Sequence, residues 1–204
     1  MEEHIETPET TPSLPADSHS EVADKPRRRF SSRHLSILPN ACTSMNLICG
    51  YIAIVMTSQG EFLAAGWLIL LANIFDILDG RLARLTSVES RFGAELDSLA
   101  DLVSFGVAPA FLVYTRYLEH DRMFGLVISG VFVICGALRL ARFNVTPHSK
   151  QDVFIGLPIP AGAGILSTMT IFELQFFNFL RIPAMVIPFV VAVTSFLMVG
   201  TIEY

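Results

Sequence analysis

Six long apolar segments, near residues 38–58, 62–79, 94–115, 123–140, 157–178 and 182–200, fill most of this 204-residue chain and leave little choice of fold. A bilayer core takes about 20 residues of helix, and inside it every backbone N–H and C=O must find a partner within the protein. Segments slightly short of that length, or interrupted by Gly and Pro, fit as tilted spans in a compact bundle. Composition points the same way. Only 16% of the residues are charged and 52% are apolar, against about 25% charged in a soluble domain, too few charges to cover a soluble surface. The expected fold is an all-α integral membrane protein, a bundle of about six transmembrane helices.

Charge placement orients the bundle. Residues 1–29 carry seven acids and four bases, are rich in Glu, Thr, Pro and Ser, and read as a disordered acidic tail. They contain no apolar core of the kind a cleaved signal peptide needs. The tail ends in Lys25-Pro26-Arg27-Arg28-Arg29, a basic juxtamembrane cluster suited to anionic lipid. Residues 30–204 form the expected membrane domain. Eleven basic residues (Lys25, Arg27, Arg28, Arg29, Arg33, Arg81, Arg84, Arg91, Arg139, Arg142 and Lys150) fall on one side of a six-span topology and three (Arg116, Arg122 and Arg181) on the other. The positive-inside rule then places the N-terminus in the cytoplasm. A net charge of −5 argues against nucleic acid as a partner. The three cysteines, Cys42, Cys49 and Cys135, form no C-x-x-C pair and read as small buried apolar side chains.

The second apolar segment ends Asp76-Ile77-Leu78-Asp79-Gly80-Arg81-Leu82-Ala83-Arg84, and the third opens Gly93-Ala94-Glu95-Leu96-Asp97-Ser98-Leu99-Ala100-Asp101. Asp76 and Asp79 are three apart and Asp97 and Asp101 four apart, so each pair shares a helix face. A short connection makes the two helices antiparallel neighbours, and the four carboxylates converge just inside one membrane edge. Acids in such a setting are costly and usually functional. A hard divalent cation relieves their mutual repulsion, and all-oxygen donors suit Mg²⁺ or Mn²⁺. Four carboxylates have donors enough for two ions, an arrangement that clamps phosphate oxygens. Gly80 and Ala83 leave room beside the carboxylates, and Arg84 lies within reach of an anionic ligand. Arg139, Arg142 and Asn144 close the fourth segment as candidate substrate contacts, the arginines suited to a lipid phosphate or an acceptor carboxylate.

The run Asp76-x-x-Asp79-Gly80-x-x-Ala83-Arg84-x8-Gly93-x-x-x-Asp97-x-x-x-Asp101 resembles the signature of the CDP-alcohol phosphatidyltransferases, with eight fixed positions at fixed spacing. Leu38-Pro39-Asn40-x-x-Thr43-x-x-Asn46, Arg91 through Asp101, Ala137 through Asn144 and Gly156-Leu157-Pro158-Ile159-Pro160 are similar to the phosphatidylserine synthases within that family. The resemblance spans about residues 34–200. It implies transfer of a phosphatidyl group from CDP-diacylglycerol to L-serine with release of CMP, in a site at the cytoplasmic edge. It implies Asp76, Asp79, Asp97 and Asp101 as metal ligands and Asp101 also as the general base. Gly80, Arg84, Ser90, Asn40 and Thr43 match positions that contact the CDP-lipid headgroup in relatives. Many such synthases continue with further apolar helices where this sequence ends at Tyr204, so the chain reads as a shorter member or part of a longer one.

Other readings stay open at this point. The acceptor could be glycerol phosphate or inositol phosphate, although a phosphate-bearing acceptor asks for more basic residues. A cation transporter could use the carboxylates as an ion path, although transporters more often place acids near mid-bilayer on several spans. A scaffold without chemistry leaves the eight-position motif unexplained. The five histidines (His4, His19, His34, His120 and His148) have no partners at ligand spacing and read as solvated. Gly130, Gly136 and the run Ala161-Gly162-Ala163-Gly164 permit close helix packing and suggest a homodimer.

Overall fold

The computed structural model describes residues 37–86, 91–145, 156–176, 183 and 186–200. The expected tail at 1–29, Ser90, His4, His19, His34 and His148 lie outside these residues, as does the side chain of Arg84. The described chain is helical: α1 (Ile37–Ser58), α2 (Phe62–Thr86), α3 (Arg91–Asp101), a π-helical turn π1 (Leu102–Val107), α4 (Ala108–Val113), a second π turn π2 (Tyr114–Leu118), α5 (Arg122–Val145), α6 (Ile159–Phe176) and α7 (Val186–Val199). The segments α3, π1, α4 and π2 run on without a break, so residues 92–118 form one composite span.

Four helical stretches are long and apolar enough to cross a membrane: Leu38–Ser58, Phe62–Ala83, Phe92–Leu118 and Arg122–Val145. This is an integral membrane protein. The last two expected segments form helices of 18 and 14 residues, α6 and α7. Both fall below the roughly 20 residues of a full span, so a count of six spans is not established by the described residues.

The composite span is the centre of the bundle. Its apolar window is 56% buried, against 22–33% for the other three, and it packs on α1, α2, α5 and α6. Phe105, Leu112 and Val113 from it join Ile69, Phe132, Ile159, Leu166 and Ile187 in a fully buried core. Trp67, Leu126, Phe189 and Phe196 face outward, as a lipid environment allows. Several buried hydroxyls are satisfied within their own helices: Thr57 donates to the carbonyl of Ala53, Thr170 to Leu166, Ser129 to Gly125 and Ser195 to Val191. That is how a polar side chain survives in hydrocarbon without a partner helix.

The π turn π1 has an identifiable cause. Pro109 sits in the first turn of α4 and can neither donate a backbone hydrogen bond nor avoid the carbonyl four residues back. The turn before it widens, and the Ala108 N–H bonds to the carbonyl of Val103, five residues back. The span stays continuous and its later residues are rotated relative to Asp101.

Two glycines fix how the helices meet. A Cβ at Gly50 would lie 2.7 Å from Ser104 Cα, so only glycine lets α1 approach π1 this closely. Gly50→Ala is expected to cost about 1–3 kcal/mol and to lower the thermal midpoint of the detergent-solubilised protein; an unchanged midpoint contradicts the close approach. Gly156 has φ +75° and abuts the carbonyl of Gly200, while the Leu157 N–H donates to Leu197 O at 2.9 Å. This docks the start of the 156–160 segment on the end of α7. Gly136 and Gly162 are used inside the bundle, against Ile159 and Met198. Gly130 and Gly164 have open space beside them, and a homodimer is not supported.

Candidate active site

The end of α2 and the start of α3 bring three of the four expected acids together. Asp76, Asp97 and Asp101 each offer a carboxylate oxygen, and the three atoms lie within 4.8 Å of one another. Asp76 and Asp97 are half-buried and Asp101 is buried. Asp79 is also buried but stands outside this trio. It lies within hydrogen-bonding reach of Thr43 on α1.

The donor set fits a hard cation. All donors are carboxylate oxygens, and Asp79 Oδ2 and Asp97 Oδ1 are buried without a hydrogen-bond partner among the described residues. Ligand oxygens around Mg²⁺ at 2.0–2.1 Å are about 3 Å apart when adjacent and about 4 Å when opposite. Small side-chain rotations bring three oxygens within 4.8 Å into that range. Orphaned, buried acceptors converging from two helices are what a divalent ion satisfies.

Other expected residues are placed unequally. Thr43 is buried and donates to Pro39 O at 3.1 Å; Asn40 is half-buried and its carbonyl accepts from Ser44. Gly80 and Ala83 are half-buried on α2 next to the acids. Arg139 and Arg142, which the sequence treats alike, differ. Arg142 is exposed, whereas Arg139 is half-buried and its Nε has no hydrogen-bond partner among the described residues. Asn144 donates to Ser98 Oγ at 3.0 Å, tying the end of α5 to the helix that carries Asp97 and Asp101.

Three side chains absent from the expected site also bear on it. Asn46, fully buried in α1, donates from Nδ2 to Asp101 Oδ1 at 3.1 Å. Ser104 donates to the Asn46 carbonyl at 2.9 Å. Asn73, one turn before Asp76, donates to the Pro160 carbonyl at 3.0 Å and pins the 156–160 segment against α2. The composite span carries a second polar group at its other end. Buried Glu173 on α6 accepts from the Tyr117 hydroxyl and pairs with Arg116 at 3.5 Å, and Arg116 also stacks over Phe62 and Tyr117. An acid inside an apolar segment was the available signal. His120 is exposed, in line with its solvated reading, and Cys42, Cys49 and Cys135 are free, Cys49 fully inside the bundle.

The sequence model for CDP-alcohol phosphatidyltransferases matches residues 36–199. The chain belongs to the CDP-alcohol phosphatidyltransferase family. Among curated relatives, a CDP-diacylglycerol–serine O-phosphatidyltransferase of Helicobacter pylori (strain J99) is 45% identical over 130 residues, 63% of this chain and 55% of the relative. One of the same name from Methanocaldococcus jannaschii is 46% identical over 137 residues, 67% of this chain and 62% of the relative. An archaetidylserine synthase of Methanothermobacter thermautotrophicus is 38% identical over 169 residues, covering 82% of this chain and 69% of the relative. The chain thus spans little more than half the length of the first of these phosphatidyltransferases. All the acids of the cluster lie inside the family match, on the two helices at the heart of the site.

Proposed function

We propose that this phosphatidyltransferase moves the phosphatidyl group of CDP-diacylglycerol to the hydroxyl of L-serine and releases CMP. The observation that carries the reading is the convergence of Asp76, Asp97 and Asp101 within 4.8 Å. The names of its relatives as serine O-phosphatidyltransferases and an archaetidylserine synthase support serine as the acceptor.

Asp76, Asp97 and Asp101 would hold a divalent cation, Mg²⁺ or Mn²⁺, with Asp79 beside them to complete a second ion's ligands. Such a cation supplies charge neutralisation for the diphosphate and for the departing CMP oxygen. Asp101, at the inner end of the cluster, takes the proton of the serine hydroxyl as its oxygen bonds to the lipid phosphorus. The bond from that phosphorus to CMP breaks, and its electron pair leaves with CMP. Asn40, Thr43, Gly80, Ala83, Arg84 and Ser90 are assigned to the CDP-lipid headgroup. The helix-packing room at Gly80 and Ala83 favours close approach of a flat group.

Arg139, rather than exposed Arg142, is assigned to the anionic group of the substrates, the serine carboxylate or the lipid phosphate. A half-buried guanidinium with an unsatisfied Nε favours a bound anion there. Arg139→Ala is expected to raise the KM for serine or CDP-lipid about 10-fold or more, and Arg142→Ala to change it less than threefold. Steady-state kinetics with each substrate varied check this, and the reverse order removes Arg139 from the site. The 11-to-3 split of basic residues supports a site facing the cytoplasm.

Purified protein in detergent, given CDP-diacylglycerol, Mn²⁺ and labelled L-serine, is expected to carry the label into chloroform-extractable lipid. Folded protein that leaves all label in the aqueous phase contradicts the assignment.

A further inference from the structure

We propose that Asn46 is a positioning residue that aims the Asp101 carboxylate at the acceptor hydroxyl; the proposal rests on Asp101 being the general base of the reading above. Asn46 comes from a different helix than any of the four acids and is 0% exposed. Its Nδ2 donates to Asp101 Oδ1 at 3.1 Å. Its own backbone is held in turn, because Ser104 Oγ donates to its carbonyl at 2.9 Å. Gly50, one turn further along α1, makes that approach of α1 to π1 possible. The amide is therefore fixed from two sides before it reaches the carboxylate.

Packing alone does not account for this residue. The Asn46 Oδ1 atom is buried with no hydrogen-bond partner among the described residues, and an unsatisfied buried acceptor is a net cost. Leucine has nearly the same shape and would fill the space without that cost. What leucine cannot do is hold a carboxylate. Rotation of an aspartate about its terminal torsion is soft, with broad preferences. A single N–H donor on one oxygen restricts that rotation. The carboxylate that must meet a substrate proton at about 3 Å is then already oriented when the substrate arrives.

The test compares wild type, Asn46→Leu and the smaller Asn46→Ser in detergent, by CMP release with CDP-diacylglycerol, Mn²⁺ and serine. Both variants are expected to lose about 10- to 100-fold in kcat, a part of what a general base contributes, with both KM values within twofold of wild type. Mn²⁺ affinity, read by electron paramagnetic resonance without substrates, is expected to stay within twofold. In an Asp101→Glu background, whose carboxylate sits one methylene away from the amide, Asn46→Ser is expected to cost less than twofold more. An unchanged kcat overturns the proposal. So does a raised serine KM at constant kcat, which makes Asn46 a substrate contact, or a tenfold loss of Mn²⁺ affinity, which places it on the metal. Losses that multiply in the Asp101→Glu background overturn it as well. Should Asn46→Leu fail to fold, Asn46→Ser carries the comparison. If wild type releases CMP only with another alcohol, the serine assignment fails and the Asn46 comparison is scored with that alcohol. If it releases none with any alcohol, both fall.

Discussion

Asp101→Asn is expected to reduce turnover by a factor of about 10² to 10⁴ while CDP-diacylglycerol still binds with near wild-type affinity. The substitution keeps the volume and the polar character of the side chain. It also leaves Asn46 facing an oxygen, so the packing of α1 against the composite span survives. What it removes is the negative charge and the basic oxygen; the amide oxygen that remains is still a neutral ligand for the cation, with Asp76 and Asp97 unchanged beside it. A neutral amide cannot accept the serine proton as the new bond to phosphorus forms, so the chemical step fails while the site that receives the lipid remains. Steady-state CMP release and equilibrium binding of labelled CDP-lipid, measured on the same preparation, separate the two. A variant with near-normal turnover removes Asp101 as the base. One that loses lipid binding in proportion to turnover recasts it as a binding or structural residue.

The second large effect concerns the cation. Chelation is expected to bring CMP release to background, and excess Mg²⁺ or Mn²⁺ to restore it. Three carboxylate oxygens within 4.8 Å of one another in a half-buried setting repel one another, and a divalent cation between them removes that repulsion. Asp97→Asn is the sharper form of the test. Asp97 Oδ1 is buried without a hydrogen-bond partner among the described residues, and replacing its carboxylate by an amide removes the charge and leaves one weaker, neutral oxygen donor. The Mn²⁺ concentration for half-maximal activity is expected to rise at least about 10-fold, within the range that loss of support to a metal site produces. Activity that survives chelation contradicts a metal-held diphosphate, and an unchanged Mn²⁺ requirement in Asp97→Asn takes Asp97 out of the ligand set.

The features legible in the sequence were those with a local rule. Apolar runs of helix length located α1, α2, the composite span and α5 to within several residues, because hydrocarbon leaves the backbone no alternative. The spacing of three between Asp76 and Asp79, and of four between Asp97 and Asp101, sufficed to put Asp76, Asp97 and Asp101 into one cluster. Features that depend on a second helix were hidden. Arg139 and Arg142 look equivalent along the chain, and only packing against the bundle buries one of them. Asn46 lies 55 residues from Asp101, and nothing at either position announces the bond. The Glu173 pairing with Arg116 and Tyr117 crosses from α6 to π2 in the same way. The π turn was readable in principle, since Pro109 inside an apolar run demands some relief. Whether that relief is a kink, a break or a wide turn is decided by the neighbours, here the packing of π1 on α1 and α5.

The most direct test measures CMP release from CDP-diacylglycerol by the purified protein across L-serine, glycerol 3-phosphate and inositol phosphate, each with and without Mn²⁺. The carboxylate cluster and the serine assignment together predict release that requires both the cation and serine. Release without added or bound cation, or release driven by a phosphate-bearing alcohol in place of serine, contradicts the account.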